Sequence, residues 1–176
     1  MKKIVLISGL IASLIIVGIS SLMLWIGGDE SSHTYSEWLG YLVMILGLSM
    51  IFIGIKQYRD HHLGGVIKFL KGFQVGILIT LVATIIYVGA WEFYMQSSDG
   101  NFIENYKQNY IETLQKSGKP QQEIAVKIAE MESMSEKYNN PIFRMAITAL
   151  EIFPVGFIIT LISALILRNR RVLANQ

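Results

Sequence analysis

Glu151 and Arg144 lie seven residues apart in an apolar C-terminal stretch, and they are the side chains of this sequence best suited to chemistry. On a helix that spacing puts both on one face, about two turns apart. Glu92 closes another apolar stretch and Glu37 precedes a third, so the sequence predicts an intramembrane polar cluster of Glu151, Arg144, Glu92 and Glu37. A charge near mid-bilayer costs about 2.5–3.5 kcal/mol on insertion scales, so such residues mark ion or proton paths or pair with one another. Pro154, followed by Gly156, predicts a helix break just after Glu151, because proline there frees the carbonyl of Leu150. Two readings follow. Glu151 is a proton or cation site beside a helix break, or it pairs with Arg144 or the Thr148 hydroxyl and fixes helix register. The register reading asks less of the sequence.

Other reactive types give less. His61 and His62 are adjacent, so on a helix their side chains diverge, and His33 stands alone; no metal site is expected from them. Cysteine is absent, which removes disulfides, thiolate nucleophiles and cysteine-based metal centres. The sequence holds no His-Glu-x-x-His, no nucleophile–base constellation and no Gly-rich phosphate loop after a strand, so an enzyme is the poorest fit and no cofactor is expected. A net charge of +2 is too small to point to nucleic acid.

The elements that must position these residues are four apolar stretches, 4–26, 38–55, 73–94 and 142–167. Each is long enough to cross a hydrocarbon core of about 30 Å as a helix. The 176 residues are 52% hydrophobic and 16% charged, against roughly 25% charged in soluble domains. The first stretch exceeds the length of a signal-peptide core and ends without an Ala-x-Ala-like site, so it is expected to stay as a span. An all-α fold follows: one antiparallel four-helix transmembrane bundle over 1–176, with an extracytoplasmic helical hairpin, 97–141, between spans three and four. Lys2, Lys3, Lys56, Arg59, Lys68, Lys71, Arg168, Arg170 and Arg171 flank the spans on one side, while 27–37 carries Asp29, Glu30 and Glu37 and no base. Basic flanks stay cytoplasmic, which predicts both termini inside, and Trp25, Trp38 and Trp91 mark the outer interface.

Small residues predict the packing faces. Gly40, Gly47 and Gly54 recur every seventh position, and Gly72, Gly76, Thr80 and Thr84 every fourth, as do Gly156, Thr160 and Ala164. Val66 to Lys71 reads as a short interfacial helix contacting lipid headgroups. In the insert, Asn101 and Glu104 resemble a capping box, and Gly118-Lys119-Pro120 separates two helices. Phe102, Tyr106, Tyr110 and Leu114 form one apolar stripe, and Ile124, Ile128, Met131 and Tyr138 form another. Glu112–Lys116 and Glu123–Lys127 are expected as ion pairs.

Tyr35-x-Glu37-Trp38-Leu39-Gly40-Tyr41, the run from Phe52 to Asp60, Leu63-Gly64-Gly65, Asn140-Pro141, and Glu151-Ile152-Phe153-Pro154-Val155-Gly156 through Arg168 together resemble the bacterial family called domain of unknown function 4199. The resemblance covers nearly the whole chain. It implies a four-span protein of the bacterial inner membrane with an outer helical insert, and it carries over no reaction, ligand or functional residue. The expected function is therefore that of a non-enzymatic accessory or scaffolding subunit of a membrane complex. Its partners would be membrane lipids and a protein, or a second copy, met through the hairpin or the small-residue faces. The alternative is an oligomeric small-solute or ion transporter or channel subunit using Glu151 as a proton or cation site.

Overall fold

The structure is a computed structural model that describes residues 1–26, 33–97 and 101–169, with the side chains of 24–26, 33–37 and 101 outside that description. Among the described residues every regular element is an α-helix: α1 (Lys2–Ile26), α2 (His33–Leu48), α3 (Met50–His62), α4 (Phe69–Ser97), α5 (Asn101–Lys116), α6 (Gln121–Tyr138) and α7 (Pro141–Leu167). Four segments are long and apolar enough to span a bilayer: Lys2–Met23, Trp38–His62, Phe69–Ser97 and Pro141–Leu167. The chain is a multi-pass membrane protein, built from the secondary structure that satisfies its own backbone in lipid. Asp29, Glu30, Arg170 and Arg171, used above for orientation, lie outside the described residues.

Three boundaries differ from expectation for local reasons. The second span continues to His62 because α2 and α3 meet at Ser49, which keeps helical angles (φ −58°, ψ −21°). There the Ser49 amide donates to the carbonyls of Ile45 (3.0 Å) and Leu46 (3.3 Å), and its hydroxyl donates to Leu46 as well (2.6 Å), a side-chain competition that tightens one turn. The interfacial helix expected at Val66 to Lys71 is not separate: residues 66–68 are non-helical and α4 opens at Phe69. Its first turn is closed by the Lys68 carbonyl, which accepts from the amides of Lys71 and Gly72 at 3.0 Å. The preceding turn needs left-handed backbone, supplied by Gly64 (φ 62°) and Gly65 (φ 87°), and the Gly65 amide reaches back to the Arg59 carbonyl at 3.1 Å. Finally, Pro154 sits inside an uninterrupted α7, so the expected break is absent; a membrane helix tolerates the one lost hydrogen bond.

Packing separates two compact units, Met1–Tyr87 with Ala149–Gln176, and Val88–Thr148. In the first, Ile16, Leu48, Ile51, Ile55, Ile79 and Ile152 form a fully buried core. Glycine sets the helix approach. A Cβ on Gly47 would lie 2.5 Å from Ile16, on Gly54 2.6 Å from Ile79, on Gly76 2.7 Å from Thr160, and on Gly9 2.6 Å from Val82. Gly156 faces Thr80 more closely still, and Gly72 meets Ala164 at an ordinary 3.5 Å. Thus Gly72, Gly76 and Thr80 of α4 pair with Ala164, Thr160 and Gly156 of α7, stepping down one helix as they climb the other. Thr80 fastens the seam, its hydroxyl lying 3.0 Å from the Gly76 carbonyl and 3.1 Å from the Thr160 hydroxyl. Gly40 differs from its heptad mates, since among the described residues nothing lies within 4 Å of a Cβ there.

In the second unit α5 packs on α6, joined through Gly118 (φ 68°) and Pro120, with Leu114 and Ile124 buried. Lys116 pairs with Glu112 at 3.6 Å as expected. Glu123, however, pairs with Lys119 at 2.6 Å, which leaves Lys127 to Glu130 at 3.5 Å. Glu104 meets Lys107 at 3.0 Å, and the Asn101 side chain proposed as its capping partner is outside the described set.

Candidate functional site

Asn140 and Pro141 determine where the main polar site forms. The Asn140 side-chain oxygen accepts from the amides of Ile142 (2.9 Å) and Phe143 (3.4 Å), and Pro141 occupies the first helical position, where it has no amide to lose. This fixes the start of α7 and places Arg144 on its buried face. Glu92, near the end of α4, meets it within the same compact unit.

The contact is bidentate. Arg144 Nε donates to Glu92 Oε2 at 2.9 Å and Nη2 to Oε1 at 2.5 Å, while Nη1 donates to the Tyr138 carbonyl at 3.2 Å. Gln96 adds a weaker donor to Glu92 Oε1 at 3.4 Å. Only 10% of the Arg144 side chain and 9% of Glu92 are exposed, so the pair belongs with buried charges, whose loss is costly, and not with surface pairs worth little. Aromatic rings enclose it. Arg144 Cζ sits 6.0 Å from the Tyr138 ring centre, the Tyr138 hydroxyl accepts from Trp91 Nε1 at 2.9 Å, and Trp91 and Tyr94 each meet Phe102 edge to face, at 5.4 and 5.8 Å. Each polar end of the guanidinium and carboxylate therefore has a partner. Such an arrangement holds geometry; a guanidinium does not release its proton in proteins.

Of the four residues expected to cluster, the structure brings together Arg144 and Glu92. The Glu37 side chain lies outside the described residues. Glu151 stands apart: it is exposed, in the other compact unit, and the Thr148 hydroxyl expected as its partner donates instead to the Arg144 carbonyl at 2.9 Å. Arg144 and Glu151 do not share a buried face because burial on α7 follows every fourth residue, through Arg144, Thr148, Ile152, Gly156, Thr160 and Ala164. That row is inclined to the helix axis, and Glu151 falls beside it. His61 Nδ1 lies 3.0 Å from the Gln57 carbonyl, and His62 stacks on Tyr58 with ring centres 5.2 Å apart. No group of three or more metal-ligating side chains occurs among the described residues. Sequence reasoning missed the part played by Trp91, Gln96 and Tyr138; the available signal was Trp91 beside Glu92 at the end of a span.

The chain belongs to the family described as protein of unknown function (DUF4199), which it matches over residues 6–169. No curated protein and no solved structure matches it.

Proposed function

We propose that this DUF4199 member is a non-enzymatic accessory or scaffolding subunit of a complex in the bacterial inner membrane. The observation that supports this most is the closed Glu92–Arg144 pair: the buried charges in the spans are spent on each other and on the Tyr138 carbonyl, which is the arrangement of a structural fastener. The small-residue faces are occupied as well, because Gly47, Gly54, Gly76 and Gly156 all meet side chains of this same chain. One surface open to a protein partner is the helical pair α5 and α6, where Val126 and Met134 are exposed on α6. The distribution of basic residues supports a reading in which this pair forms a hairpin outside the cytoplasm, with both termini inside.

Two experiments test the proposal. Because the chain lacks cysteine, Lys119→Cys and His61→Cys can be labelled one at a time in intact cells. An impermeant maleimide should modify the first and spare the second, and the reverse pattern refutes the orientation. A photoreactive residue at Val126 or Met134 should trap one protein species in native membranes that is absent at Gln115 and lost in Val126→Glu. Equal adducts at all three positions would remove the scaffold reading. The transporter alternative places Glu151 on a polar path, and since that side chain faces outward, a neighbouring subunit would have to supply the path.

A further inference from the structure

Glu151 is a carboxyl on the outside of a membrane helix. At 1.5 Å per residue it lies about 15 Å from Pro141 and about 24 Å from Leu167, far from both ends of α7. Leu150, Pro154, Ile158 and Ile162 around it are exposed too, so the face is otherwise apolar. Among the described residues Glu151 has no hydrogen-bond or ion-pair partner. An ionisable group held against hydrocarbon without a partner is expensive, and intramembrane charges normally pair.

We infer that this face of α7 receives a transmembrane helix of another membrane protein carrying a lysine or arginine at mid-depth, which closes a hydrogen-bonded ion pair with Glu151. Charge complementarity selects this occupant. A second copy of the chain has no base to offer at that depth, because Arg144 is held by Glu92 and the other described bases of the spans, Lys2, Lys3, Lys56, Arg59, Lys71 and Arg168, lie toward span ends. A symmetric contact between two α7 helices would set carboxyl against carboxyl, and two such groups can share a proton but offer no opposite charge. The inference rests on the reading of the chain as a complex subunit but uses a surface on α7, so its failure with the Lys helix would leave the Val126 crosslink, and with it that reading, intact.

The test uses the full chain in phosphatidylcholine vesicles with Leu/Ala host helices of about 20 residues bearing a central Lys, Leu or Glu, and energy transfer reports association. The native chain should prefer the Lys helix over the Leu helix by about tenfold, the scale of an interhelical polar contact. Glu151→Leu should erase that preference, and Glu151→Lys should move it to the Glu helix, which also shows that the variant folds. Equal binding of the Lys and Leu helices by the native chain overturns the inference, as does a Lys preference that survives in Glu151→Leu. Self-association of the native chain that disappears in Glu151→Leu would assign the face to a second copy instead. Dissipation of a proton gradient by the native chain but not by Glu151→Gln would assign it to transport.

Discussion

Replacing Arg144 by leucine should be the most damaging single change in the second compact unit, and its magnitude follows from the contacts. The substitution removes donors at 2.9 and 2.5 Å from the Glu92 carboxylate and at 3.2 Å from the Tyr138 carbonyl, leaving Gln96, at 3.4 Å, as the remaining donor to Glu92. Breaking one side of a buried pair costs about 3–5 kcal/mol, a large share of the roughly 5–15 kcal/mol that holds a typical domain together. Removing both charges differs in sign of coupling. Glu92→Leu with Arg144→Leu leaves no buried ion, only a Tyr138 carbonyl without its donor, so the double variant should lose about 1–2 kcal/mol. The reporter is Trp91 fluorescence in a Trp25→Phe, Trp38→Phe background, because its indole donates to the Tyr138 hydroxyl at 2.9 Å. Unfolding in mixed detergent micelles then gives a double-mutant cycle. If Arg144→Leu costs under about 1 kcal/mol, or the double variant costs the sum of the singles, the pair is not the fastener described above.

Other perturbations probe the seam and the insert. Gly76→Ala and Gly156→Ala each drive a methyl group into a threonine, Thr160 and Thr80 respectively, and should destabilise by about 1–3 kcal/mol in thermal melts in detergent, whereas Gly40→Ala should be silent. Thr80→Val loses its bond to Thr160 and should cost about 0.6 kcal/mol, while Thr84→Val removes a buried hydroxyl that has no partner among the described residues and should be neutral or stabilising in the same melts. The Lys119 ammonium holds the Glu123 carboxyl below the usual glutamate value. A depressed folded-state value contributes stability above the unfolded one and loses it as pH falls through the folded one. Hydrogen-exchange protection of the first turn of α6 should therefore weaken on acidification through the carboxylate range, and Glu123→Gln should flatten that dependence.

The fold was legible where burial in lipid and burial in protein ask for the same residues. Long apolar runs announce spans, and the turn at Gly118-Lys119-Pro120 could be placed from turn chemistry alone. Polar helix ends were harder. Residues 56–62 look like a loop by hydropathy but continue α3, because Tyr58 is buried while Lys56 and Gln57 are exposed, an amphipathic turn that hydropathy averages away. Gly40 shows the converse limit: its spacing matches Gly47 and Gly54, yet spacing identifies a face without showing that a neighbour reaches it.

The site was legible as a set of residues and not as a set of pairs. Seven-residue spacing predicts that Arg144 and Glu151 share a stripe, and they would if the seam ran parallel to the axis of α7. Glycine and threonine allow such close approach that burial instead follows a row of every fourth residue, and each step along it turns about 40° around the helix. Over the two turns separating the two charges, that drift is enough to leave Arg144 inside and Glu151 outside. Arg144 then takes its partner from Glu92 on a different helix, the acid nearest in space and far away in sequence. The same inclination that satisfies one charge within the chain strands the other on its surface.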